Sequence, residues 1–129
     1  MHVVESSKII YCDVDDTLII WDFADEAYDP KDLITVTDAA SGTSKAVLPH
    51  KRHINLLREF KTRGHTVVVW SQGGWEWAKA AVIALHLEDI VDLVVAKPDW
   101  FIDDLPAKAF MGKNVYLHPS DPSKDNKRH

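Results

Sequence analysis

A single cysteine, Cys12, stands in 129 residues. It excludes an intramolecular disulfide and a cysteine-built metal cluster, and it points to a reducing compartment, the cytoplasm. No stretch approaches the ~20 apolar residues that span a bilayer, so no membrane partner is expected. The N-terminal MHVVESSKII carries Glu5 where a secretory leader needs an unbroken apolar run, so no leader is expected either. Internal repeats are missing, and the seven histidines never fall at HxH or HxxxH spacing, which leaves no zinc site. Basic residues are in deficit. Fifteen Lys and Arg face twenty Asp and Glu, a net charge of −5 that argues against broad binding to nucleic acid or anionic lipid. The terminal KDNKRH is too short and mixed to change that.

What remains is ample for a core, at 46% hydrophobic and 27% charged residues. The length sets one domain, over 1–117, with a polar, mobile tail at 118–129. The acidic excess is local. Asp13, Asp15, Asp16, Asp103 and Asp104 sit in two very short stretches beside apolar runs, and the other fifteen acids balance the fifteen bases.

Along the chain, KIIYCDV (8–14) reads as a buried strand with its polar end at a sheet edge. ITV (34–36) and KAV (45–47) flank the turn-rich SGTS (41–44), predicting a hairpin flap within 19–49. Ile54, Leu57 and Phe60 mark a helix over 50–63 that Gly64 stops. Strands are predicted at 65–70, 90–96, 99–104 and 114–117, with a helix over 75–86 and a short one from Pro106 to Met111. Strands alternating with helices call for α/β architecture: a three-layer, Rossmann-like sandwich with a mainly parallel sheet and no cap domain.

Ligands of such sheets sit outside the carboxyl ends of the strands. The unusual polar residues of this chain lie there: Asp13 to Asp16, Ser71, Lys97, and Asp103 with Asp104. Carboxylates that converge repel one another unless a cation joins them, and few carboxylates with room for water suit Mg2+. Lys97 would hold an anionic substrate beside the acids. Ser71 adds a hydroxyl, and the amides of Gln72, Gly73 and Gly74 before a helix add an anion site. Metal, ammonium and amide donors around one point are what a transferring phosphoryl group needs. In DVD, one carboxylate can be the nucleophile and the other the general acid and base.

The order IIYCDVDDTLI, VVVWSQGG, AKPDWFIDD resembles the four motifs of the haloacid dehalogenase (HAD) superfamily of phosphatases, across residues 9–104. DxDxT matches at Asp13, Asp15 and Thr17, the strand-closing hydroxyl at Ser71, the lysine at Lys97, and the acidic pair at Asp103 and Asp104. The resemblance implies a phosphomonoester hydrolase that works through an aspartyl-phosphate. Asp13 would be nucleophile and metal ligand, and Asp15 the acid/base, offering its carbonyl to the metal. Thr17 would brace the turn, Ser71 would bind phosphate, and Lys97 would neutralise nucleophile and phosphate. Asp103 or Asp104 would complete a Mg2+ site, with Asp104 the favoured ligand. The gaps between motifs leave no room for a cap, so the site is expected to be open. That suits a phosphate at the end of something large, such as a nucleotide or a nucleic-acid terminus, or a lid supplied by homo-oligomerisation.

Blander readings stand beside these. Asp16 reads as a turn residue, Cys12 as a small core residue, and Trp77 as the core member of the Trp75–Trp77 pair. His50 and His53 read as a solvated helix start or a phosphate contact. A receiver-type signalling domain, phosphorylated without turnover, is a rival reading, but it wants an acid where Ser71 stands. A catalytically idle binding protein on the same fold is the other.

Overall fold

The computed structural model describes residues 6–126. The first residues of the expected domain and 127–129 of the expected tail lie outside the described residues. Three strands, β1 (Ile9–Asp13), β5 (Thr66–Ser71) and β6 (Leu93–Ala96), form a parallel sheet in the order β1-β5-β6. Between β1 and β5 the chain builds a small antiparallel sheet. It consists of β2 (Ile19–Ile20), β3 (Ile34–Asp38) and β4 (Thr43–Pro49), with β4 central. The predicted hairpin is its β3–β4 pair, with Val36 opposite Lys45 and Ile34 opposite Val47. Helix α1 (Lys51–Thr62) leads into β5, and α2 (Trp75–Ala84) links β5 to β6.

Valine-rich β5 is the centre strand because it can be buried on both sides: Val67, Val68 and Val69 are at most 2% exposed. Both crossovers step the same way across the sheet, so right-handed connections put α1 and α2 on one face. There Leu57, Trp77, Ala78, Ala81 and Val82 close over Cys12, Val67 and Val69. Val36 and Val47 of the hairpin and Leu18 and Ile19 before it are fully buried in the same cluster. The hairpin is therefore part of the core. α1 ends as its sequence dictates, with Gly64 at φ 88° and its amide donating to the Lys61 carbonyl.

The opposite face of the sheet presents Ile9, Tyr11 and Leu93 to solvent. Of the three layers expected, the described residues show the sheet and one helical layer. Two predicted strands are absent. Residues 97–106 form no strand, and Trp100 and Ile102 stand almost wholly in water. Pro98 and Pro106 bracket this stretch and remove ladder donors. At 114–117 no strand forms, and the backbone of Tyr116 and Leu117 is held by side chains and by the Asn126 amide, which donates to the Tyr116 carbonyl. The Leu117 amide donates to His53 Nε2 at 2.8 Å and the Tyr116 amide to Asn126 Oδ1. α3 (Ala107–Phe110) is the short helix expected after Pro106. Among the described residues no helix is long and apolar enough to cross a membrane.

Candidate active site

The three parallel strands end on one rim, and each delivers a functional residue there: Asp13 ends β1, Ser71 ends β5, and Lys97 follows β6. The Lys97 amide donates to the Ser71 carbonyl at 2.9 Å, which carries the sheet's hydrogen bonding past β6 and fixes where the lysine emerges. Its ammonium lies 3.3 Å from Asp13 Oδ1, with both side chains about a third exposed. It also stands 5.6 Å from the centroid of the Trp70 ring, which holds the stem along the sheet.

Beyond β1 the chain turns sharply. The Val14 carbonyl accepts from the amides of Thr17, Leu18 and Ile19, and Asp16 is left-handed at φ 59°. Asp is among the few residues that tolerate this conformation, and its Oδ1 accepts from the Trp21 amide at 3.1 Å. Asp16 is thus a turn residue. The turn brings Thr17 back onto Asp13, its hydroxyl 3.2 Å from Oδ2.

Asp15 is gripped from the α2 side. Its Oδ1 accepts from the indoles of Trp21 at 2.7 Å and Trp77 at 2.9 Å. Its Oδ2 lies 3.5 Å from the Ser71 hydroxyl. Trp77 is therefore core and site at once: 5% exposed, with its one donor on a carboxylate. Ser71 Oγ in turn accepts from the Gly73 amide at 3.0 Å, and a Cβ on Gly73 would stand 3.3 Å from that oxygen. Gly74, at φ 106°, opens α2 with no side-chain cap. Gln72 is exposed at the rim.

Asp13, Asp15, Thr17, Ser71, Gly73 and Lys97 are thus brought together. Asp103 and Asp104 are not. Both are exposed, and Asp103 folds onto its own chain, accepting from the Leu105 amide at 2.9 Å. Among the described residues no three His, Cys, Asp or Glu side chains gather as a metal site. Mg2+ wants several hard oxygens around one point, and of the implied side-chain ligands only Asp13 stands at the rim, while Asp103 and Asp104 stand apart from it in solvent. The residues present do not fit the Mg2+ site that the resemblance implies.

Two groups at the start of α1 differ from their reading as a solvated or phosphate-binding basic cluster. His50 and His53 are buried, at 1% and 4% exposed, and stack at 3.7 Å between ring centroids. Neither is a solvated helix start. His50 Nδ1 accepts from the His53 amide, which makes His50 the N-cap of α1. The one available signal was their i, i+3 spacing directly after Pro49, the position of a cap and its partner. Burial pushes the His50 imidazole down to about 4, the neighbouring His53 adding to this, and burial lowers His53 as well. The second group is Arg52, which binds Asp125 through two parallel bonds of 2.8 and 2.7 Å. Within its described part, the segment read as a mobile tail carries this pair and the His118 amide bond to the same carboxylate. Cys12 is buried beneath the site, and desolvation, with Asp13 adding to it, pushes its thiol up to about 12, so it is packing and not a nucleophile. Comparison with family models, curated proteins and solved structures gives no match for this chain.

Proposed function

We propose that the chain is a phosphomonoester hydrolase in which Asp13 takes the phosphoryl group. The observation that carries this is the 3.3 Å approach of Lys97 to Asp13 at the carboxyl end of a parallel sheet, with the hydroxyls of Thr17 and Ser71 beside them. A lone carboxylate would repel a phosphate dianion. The ammonium offsets that repulsion and stands where charge accumulates on the transferring group. In the first step Asp13 Oδ bonds to phosphorus while the ester P–O bond breaks, and Asp15 gives its proton to the leaving oxygen. In the second, water attacks phosphorus and returns a proton to Asp15, the acyl-phosphate bond breaks, and inorganic phosphate leaves. The indoles of Trp21 and Trp77 aim Asp15 for both steps. The motif order, which resembles the haloacid dehalogenase phosphatases, supports the same roles. Trp21 and Trp75, 37% and 55% exposed, are the aromatic surfaces near this rim, which favours a nucleotide or a nucleic-acid terminal phosphate as substrate.

The test is phosphate release from an aryl phosphate, nucleotides and 5′- or 3′-phosphorylated oligonucleotides, with Mg2+ and with chelator. Turnover that vanishes in Asp13→Asn, with a hydroxylamine-labile phosphate on Asp13 in the wild type, is the expected result. No turnover on any substrate, or turnover that survives Asp13→Asn, overturns the proposal. A single stoichiometric phosphorylation without turnover indicates the receiver-type domain instead.

A further inference from the structure

We infer that His53 and Tyr116 are positioning residues that hold the Asp13–Thr17 loop in its reactive shape through two successive carbonyls. The Asp16 carbonyl accepts from the Tyr116 hydroxyl at 3.0 Å, and the Thr17 carbonyl pairs with His53 Nδ1 at 2.6 Å. The direction of the second bond follows from the far side of the ring. His53 Nε2 accepts from the Leu117 amide, so the neutral imidazole carries its proton on Nδ1 and donates it to Thr17. His50 is the reverse tautomer, because its Nδ1 accepts from the His53 amide and its Nε2 therefore donates to the Leu117 carbonyl.

Asp16 is left-handed, a conformation that costs a non-glycine residue free energy and persists only where its surroundings over-determine it. Thr17 reaches Asp13 only through this turn. The donors that secure it come from α1 and from the 116–118 segment, which Arg52 ties down through Asp125. Neither donor bonds Asp13, Asp15, Ser71 or Lys97, the groups proposed to meet the phosphate; both act on the main chain of the turn behind them. A shift of about 1 Å in a reacting group costs on the order of 100-fold in rate, so these bonds govern kcat and leave substrate binding alone.

The inference rests on the phosphatase reading, and its test separates the two. Asn at 53 places an amide donor where Nδ1 stands and keeps the Thr17 bond; Gln places its carbonyl where Nε2 stands and keeps only the Leu117 bond. His53→Gln is expected to lose about 100-fold in kcat with KM unchanged, and His53→Asn to stay within about threefold. Amide exchange of Thr17, Leu18 and Ile19 is expected to rise about tenfold in His53→Gln alone. Equal kinetics and exchange in the two variants, or losses that follow Tm, would overturn the role. Where neither variant folds, Tyr116→Phe decides, with a smaller fall in kcat at constant KM and an unchanged value overturning the inference. If the wild type hydrolyses nothing, the phosphatase reading fails while exchange still tests the brace. If it turns over and His53→Gln matches it, the brace alone fails.

Discussion

The rim around Asp13 and the segment 97–115 carry the same kinds of residue and are treated oppositely. Both pair acids with aromatics. At the rim every acid has a donor: Asp13 has Thr17 and Lys97, Asp15 two indoles, and Asp16 a backbone amide. On the segment Trp100, Phe101, Ile102, Leu105, Phe110 and Met111 are all about half exposed or more, and Asp103 is bonded only to its own neighbour. The difference is what lies beneath. The rim stands on β5 and α2, both packed in the core, so its side chains have fixed places from which to meet. The segment leaves β6 at a sheet edge and finds no ladder to join.

The largest effect that would break this contrast is loss of the proposed nucleophile. Asp13→Asn is expected to lower phosphate release by at least ~10³-fold with Tm little changed, since the side chain makes one hydroxyl bond and one partly exposed ion pair. Lys97→Met is expected to lose about 10²-fold or more through the missing charge on the transferring group. Steady-state assays beside thermal melts check both. A melt that collapses in either variant would make these residues scaffold instead of machinery.

Next comes packing. Leu87 is fully buried in the core, whereas Ile102 is fully exposed. Leu87→Ala is expected to cost about 2–5 kcal/mol in urea unfolding and Ile102→Ala less than about 0.5 kcal/mol. A comparable cost for Ile102 would show that the segment is packed in solution.

Much of this was legible in the sequence, for identifiable reasons. β5 announces itself because TVVVW is rich in β-branched residues whose three valines are buried, and the hairpin because its turn is rich in Ser, Gly and Thr. The meeting of Asp13, Ser71 and Lys97 was legible because strand ends in a parallel sheet share one rim. The strands expected at 99–104 and 114–117 failed because an apolar run shows that a segment can be buried, not what it pairs with. Tyr116 and Leu117 found side-chain partners on α1 and near the C-terminus, 10 to 64 residues away in sequence. Such contacts leave no local period to read. The indole donors on Asp15 were invisible for the same reason: aromatic spacing reports packing, not where one N–H points.

Acid sharpens the contrast from another side. His50 is buried and neutral, with its pKa lowered from the ordinary 6.5 to about 4. Below pH 6.5 the unfolded chain takes up a proton that the folded chain refuses until about pH 4. Stability is therefore full above pH 6.5 and falls between 6.5 and 4, by on the order of 2–3 kcal/mol. His50→Asn, which retains a capping oxygen, is expected to flatten that slope in urea melts taken across this range. An unchanged slope would assign the acid sensitivity to other groups.

The smallest expected effect is the most telling about the segment. In the arrangement described, Asp103 and Asp104 hold nothing but the Leu105 amide. Replacing both with Asn is then expected to change Tm by no more than a degree or two, as for exposed residues generally, and phosphate release by less than about threefold. A loss beyond about 100-fold at constant Tm, matched by chelation of Mg2+, would have a different physical meaning. The unpaired stretch would have to move onto the rim in the working enzyme, where its acids would repel Asp13 and Asp15 without a cation between them. The exposed aromatics at 100 and 101 would then be the surface that closes during that movement, and their fluorescence would change when Mg2+ is added to the wild type but not to the double variant.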